Sequence, residues 1–125
     1  MEKTIFIDGR DVRFKASAAF LIRYKAQFRR DALKDLLKLE PILTKMEKRL
    51  KAATEEEKNA IAIDTYNEMD LNLFYDICWV LAKTADKAIP EPEEWLDTFS
   101  TFPVMDITEK LMDILTASIE VSKKK

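Results

Sequence analysis

The side chains that most often carry chemistry are sparse in this sequence: it has no histidine, one cysteine (Cys78) and twenty-three carboxylates. Without histidine the chain lacks the commonest metal ligand and the group most used for proton transfer near neutral pH. Serine-histidine and cysteine-histidine nucleophile systems are thereby excluded. One cysteine cannot assemble a zinc site, and one glycine, Gly9, cannot build a glycine-rich phosphate loop. Carboxylate pairs remain. Glu93 and Asp97, one helical turn apart, have the spacing to hold a hard cation or to act as acid and base, but such a pair more often forms an exposed acidic face. No cofactor and no metal are expected. Asp76 interrupts the apolar run Leu71 to Ala82, and its helical line with Glu68, Asn72 and Lys83 predicts a satisfied polar seam rather than a catalytic acid. Cys78, in the same run, reads as a buried core thiol in a reducing compartment.

The elements that must position these groups are mostly helices. A chain of 125 residues, 47% apolar and 35% charged, is expected to fold as one domain with a solvated surface. A single glycine leaves too little turn punctuation for a fold of many short strands. The expected fold is mainly α, about five helices with a short N-terminal β-hairpin: hairpin 1–15, helical body 17–122 and basic tail 123–125. Asp8-Gly9 between Thr4–Ile7 and Asp11–Phe14 is the hairpin signal, with Ile5, Ile7, Val12 and Phe14 as the face to be covered. Ser17 is expected to cap a helix carrying Phe20, Leu21, Tyr24 and Phe28. Asp31 caps the next, with a stripe of Leu33, Leu36, Leu37, Leu43, Met46 and Leu50, kinked or broken by Pro41 near residue 40.

Thr54-Glu55-Glu56-Glu57 is a capping box, and one long helix is expected after it, with Ile63, Tyr66, Asp70, Phe74, Ile77 and Leu81 in an approximate heptad. Its second half, apolar on most sides, is the expected centre of the core. Pro90 and Pro92 end that helix and start a short one through Trp95 and Phe99. A second box at Asp106 opens a final helix with Ile107, Leu111, Ile114, Leu115 and Ser118 inside.

No apolar stretch is long enough for a secretory signal or a membrane span, so a cytosolic protein is expected. The net charge of −2 argues against a general nucleic-acid binder, but the charge is uneven. Residues 1–30 carry eight Lys or Arg against three acids, while residues 86–97 carry five acids against Lys87. Arg10, Arg13, Lys15, Arg23, Lys25, Arg29 and Arg30 interleave with aromatics as in a nucleic-acid footprint, yet those aromatics lie at core spacing. The arginines are better matched to an acidic patch on a protein or a second copy.

The stretch Trp79-Val80-Leu81-Ala82-Lys83-Thr84-Ala85-Asp86, continuing through Ile89-Pro90-Glu91-Pro92-Glu93-Glu94-Trp95-Leu96-Asp97-Thr98-Phe99, resembles the tail assembly chaperones of long-tailed phages and prophages of Gram-positive bacteria. The order of a hairpin, then Ala19 to Asp31, then a leucine-rich helix is similar too; residues 40 to 65 carry little of the likeness. The resemblance implies a non-enzymatic protein of the bacterial host cytoplasm. Such a protein holds tail components before polymerisation, chiefly the tape measure protein, with the tail tube protein as a further client. It also allows for a homo-oligomer and for a longer product made by frameshifting, for which Lys123-Lys124-Lys125 would mark a slippery adenine run. No catalytic residue comes with it. A chaperone needs adaptable apolar surface, for which Trp95, Phe99, Phe102, Met105 and Met112 are the candidates, although core packing competes for the same residues. Arg23, Arg29 and Arg30 are the candidate charged contacts. The alternative is a small phage-encoded regulator binding DNA through the basic N-terminal half, against which stands the absence of a tight helical pair.

Overall fold

The computed structural model describes residues 1–123, the last three in backbone only; Lys124 and Lys125, the end of the expected basic tail, lie outside the described residues. The order is β1 (Glu2–Ile7), β2 (Arg10–Lys15), α1 (Ala19–Phe28), α2 (Ala32–Lys51), α3 (Glu55–Glu68), α4 (Leu71–Ala85), α5 (Pro92–Asp97) and α6 (Val104–Lys123). The fold is mainly helical with an N-terminal hairpin, as the sequence predicts. β1 and β2 pair antiparallel from Glu2↔Lys15 to Ile7↔Arg10, and Asp8 and Gly9 close the turn with φ of 51° and 80°. Positive φ at both positions is what a two-residue turn of the I′ kind requires, and it is why this glycine cannot be exchanged freely. Ile5, Ile7, Val12 and Phe14 are all buried on the helices.

The core forms around α4. Leu73, Phe74 and the unbroken run Ile77 to Ala82 are buried, with β2, α1 and α5 laid against the helix. On a helix, six consecutive buried residues mean cover on every side, so α4 is central in the literal sense. α2 lies beside α1 and carries α6 and α3; α6 also meets β1. Ile107, Leu111, Ile114, Leu115 and Ser118 form the inner stripe of α6. Ser118 remains satisfied by donating its hydroxyl to the Ile114 carbonyl at 2.9 Å.

Five expectations need correction. The helix predicted after Thr54 is two helices, because the Asp70 carboxylate accepts the Asn72 amide (2.9 Å) and caps α4 anew. The register therefore restarts at Asp70. Ile63 and Tyr66, assigned to the inner stripe, are 60% and 39% exposed, and Ile61, Thr65 and Met69 are buried instead. Pro41 does not break α2, which continues to Lys51. Leu37, whose carbonyl would have received the missing amide, is exposed along with Pro41, so water can satisfy it. The α2 stripe is Leu36, Leu39, Leu43 and Met46; Leu37 faces outward, and Leu33 and Leu50 are half-buried. α6 begins at Val104, so Asp106 lies in its first turn, paired with Lys110 at 3.0 Å, rather than at its cap.

Leu81, with no exposed surface at the centre of α4, provides the direct test of this packing. Leu81→Ala is expected to cost about 2–5 kcal/mol in denaturant titration, as a large-to-small core change with incomplete collapse. A loss below about 1 kcal/mol would contradict the central placement of α4.

Candidate partner-binding site

The aromatic candidates come together at the corner where α4 turns into α5. Pro92 opens α5 at its first position, and the loop before it is fixed from α4: the Trp79 indole N–H donates to the Pro90 carbonyl (2.9 Å). The Lys83 ammonium donates to the carbonyls of Lys87 (2.9 Å) and Ile89 (2.7 Å). Lys83 is thus a loop clamp and not the partner of Asp76 that the helical spacing suggests. From this base Trp95, Phe99 and Phe102 pack edge to face, with centroids 5.2 Å (Trp95–Phe99), 5.3 Å (Phe99–Phe102) and 5.8 Å (Trp95–Phe102) apart. Tyr75 of α4 joins them through Phe102 at 5.8 Å.

Arg10, just after the hairpin turn, lies over Phe99 at 4.0 Å and donates to the Thr98 hydroxyl at 2.5 Å. The Asp8 carboxylate accepts the Ser100 amide at 2.7 Å. The hairpin turn therefore docks on α5, a connection spanning some ninety residues that no local pattern announces.

These contacts decide what the aromatics can do. Trp95 and Phe99 are only 3% and 8% exposed, so they serve the core and offer a partner almost no surface. Phe102 is half-buried on the rim of the cluster. Met105 is half-buried at the start of α6, its amide donating to the Tyr66 hydroxyl at 3.2 Å. Met112 is elsewhere: with Leu43, Leu115 and Ile119 it lines a cavity of about 140 Å³ between α2 and α6. The five apolar candidates do not form one face.

The three arginine candidates also divide. Arg30 turns inward and ties three helices together. Its Nε donates to Asp35 Oδ2 at 2.9 Å, and its Nη2 donates to Asp76 Oδ2 at 2.5 Å and to the Tyr24 hydroxyl at 3.1 Å. Tyr24 in turn donates to Asp35 Oδ2 at 2.7 Å. Tyr24 comes from α1, Asp35 from α2 and Asp76 from α4, and Arg30 occupies the α1–α2 turn that the left-handed Arg29 (φ 61°) makes. Burial and then the Asp35 bond push the Tyr24 hydroxyl well above its usual range, and the bonds to Asp35 and Asp76 hold Arg30 charged at any accessible pH. Burial lifts the Asp76 carboxyl above the usual carboxylate range in spite of Arg30, and burial alone lifts the Cys78 thiol. These polar contacts are made among the chain's own side chains, and the network aligns α1, α2 and α4.

The side chains of Arg23 and Arg29, by contrast, make no hydrogen bond or ion pair with any described residue, and Arg23 Nε is buried without a partner. Among the described residues no cluster of three or more Cys, Asp or Glu is placed to hold a metal ion, and no helix is long and apolar enough to cross a membrane.

Asp35 is nearly enclosed, its side chain 4% exposed against 41% for Arg30. Arg30→Ala is expected to destabilise the fold by about 3 kcal/mol in urea, the low end for breaking a buried pair because the guanidinium is partly solvated. A change within about 0.5 kcal/mol would show that the network is dispensable. Asp76 adds a pH signature. Its raised folded-state pKa means that the folded chain binds the proton more tightly, so the contribution is full below the unfolded value and lost as pH rises through the folded one. Urea titrations at pH 7 and pH 4.5 should therefore show wild type gaining stability relative to Asp76→Asn as pH falls; a relative gain by the variant would contradict the assignment.

Compared with protein-family models, curated proteins and solved structures, the chain matches none.

Proposed function

We propose that this chain is a non-enzymatic tail assembly chaperone of a phage or prophage, acting in the bacterial host cytoplasm. It binds the tape measure protein, and the tail tube protein as a further client, before the tail polymerises. The observation that carries the reading is the α4–α5 corner. The residues of the resemblance, Trp79, Lys83, Ile89-Pro90, Trp95 and Phe99, are not scattered over the surface but hold one another in a single packed unit. A packing signature of that kind supports a shared scaffold, which is the sense in which the sequence likeness has physical content.

On this reading a tape measure protein is encoded near this chain, and co-expression of the two is expected to move that client from the pellet to the soluble fraction and to co-purify them. Phe99→Asp is a poor probe of docking, because Phe99 is core and the change would unfold the domain. An insoluble client in the presence of abundant, folded wild-type protein would overturn the chaperone reading.

A further inference from the structure

Most basic side chains of this fold are occupied. Of its six arginines, Arg10 is stacked on Phe99, and Arg13, Arg30 and Arg49 hold carboxylates or carbonyls; Lys3, Lys38, Lys45, Lys51, Lys58 and Lys110 are ion-paired. The two arginines left over, Arg23 and Arg29, both belong to α1 and its cap. α1 contains no acidic residue. Its outward line is Ile22, Lys25, Ala26 and Arg29, spaced i, i+3, i+4 and i+7 and all exposed, with Arg23 half-buried beside it. Ile22 is the most exposed large apolar side chain among the described residues, at 76%.

An exposed isoleucine that shares a helix face with the unpaired cations Lys25 and Arg29 has the composition of a small protein interface, apolar and charged side by side. Ala26 lets another backbone approach closely, and the line of four positions is a ridge onto which a second helix can pack. The cations define what that helix must carry. Arginine forks match carboxylates in two-point contact.

We propose that the outer face of α1 docks an acidic amphipathic helix of a protein partner, with Ile22 at the centre and Arg23, Lys25 and Arg29 receiving its carboxylates. The proposal rests on the reading of the chain as a holder of a helical client and names the face that does the holding. A nucleic-acid backbone is the poorer match, since the most exposed residue of the face is apolar and the chain as a whole carries a net charge of −2.

The test is co-purification of the tape measure protein with tagged full-length chain, comparing wild type with Ile22→Ser and with Lys25→Glu/Arg29→Asn, asparagine being suited to the left-handed cap. All three positions are exposed, and unchanged thermal melts establish that the variants are folded. Retention by wild type should fall at least tenfold in the double variant and decrease as sodium chloride is raised from 0.1 to 0.5 M, on the order of what screening of exposed pairs predicts. Wild-type retention with undiminished binding by both variants would overturn the α1 assignment and leave the chaperone reading intact. Failure of wild type itself to retain the client would overturn that reading and the proposal together. A 30-base-pair duplex that shifts with wild type and not with the double variant would assign the face to nucleic acid instead.

Discussion

Burial of α4 on all sides is the constraint on which the rest of the structure depends. A helix whose apolar residues cover only one stripe can rest on a single neighbour. A helix with Ile77 to Ala82 all enclosed needs neighbours around its whole circumference. The hairpin, too small to be stable alone, finds its reason here: Val12 and Phe14 cover one side of α4, and the turn reaches past it to α5. α1 covers another side, with Phe28 edge-on to Trp79 at 5.9 Å. Burying so much apolar surface favours compaction without fixing direction. Direction comes from the polar pieces: Arg30 joining Asp35 and Asp76, Trp79 held to Pro90, and Lys83 closing the loop after α4. Each would be costly to leave unsatisfied, so each specifies one arrangement among the many that would bury the same side chains.

The contrast with α3 shows what the absence of that constraint does. Its buried residues are only Ile61 and Thr65, and two ion pairs at its rim, Lys45–Glu68 (2.9 Å) and Arg49–Asp64 (2.8 Å), join it to α2. Met46 and Ile61 are buried outside the main cluster. Partly solvated pairs of this kind contribute little. α3 is therefore the element most easily detached from the body, and α4 the least.

What was legible in the sequence follows the same division. Strong local signals carried through: Asp8-Gly9 gave the hairpin, Thr54 with Glu57 gave a capping box with both reciprocal bonds in place, and the apolar run to Ala82 gave the central helix. Asp70 misled because aspartate is both a tolerable helix residue and a strong cap, and only the turn of the backbone decides between them. Of the kink or break expected at Pro41 the break is absent, for a tertiary reason: Leu37, one turn back, is exposed, so the lost amide is tolerable. The candidate site was the least legible part. Aromatic and methionine side chains are used alike by cores and by interfaces, so Trp95 and Phe99 could not be told from surface anchors without their neighbours. Arg30 could not be told from Arg29, although adjacent in sequence, because the left-handed turn at Arg29 sends one inward and leaves the other in solvent.

The molecule divides into an enclosed α4, whose polar ties set the geometry, and an outer α1 whose cations are unspent. Hydrogen exchange on the free chain and on the chain co-purified with the proposed helical client tests that division most directly. The account predicts that α4 amides exchange only through global unfolding in both states, while exchange in α1 slows when the client is bound. Rapid exchange of α4 in the free chain, or a bound state in which α1 is unchanged and protection appears elsewhere, would contradict it.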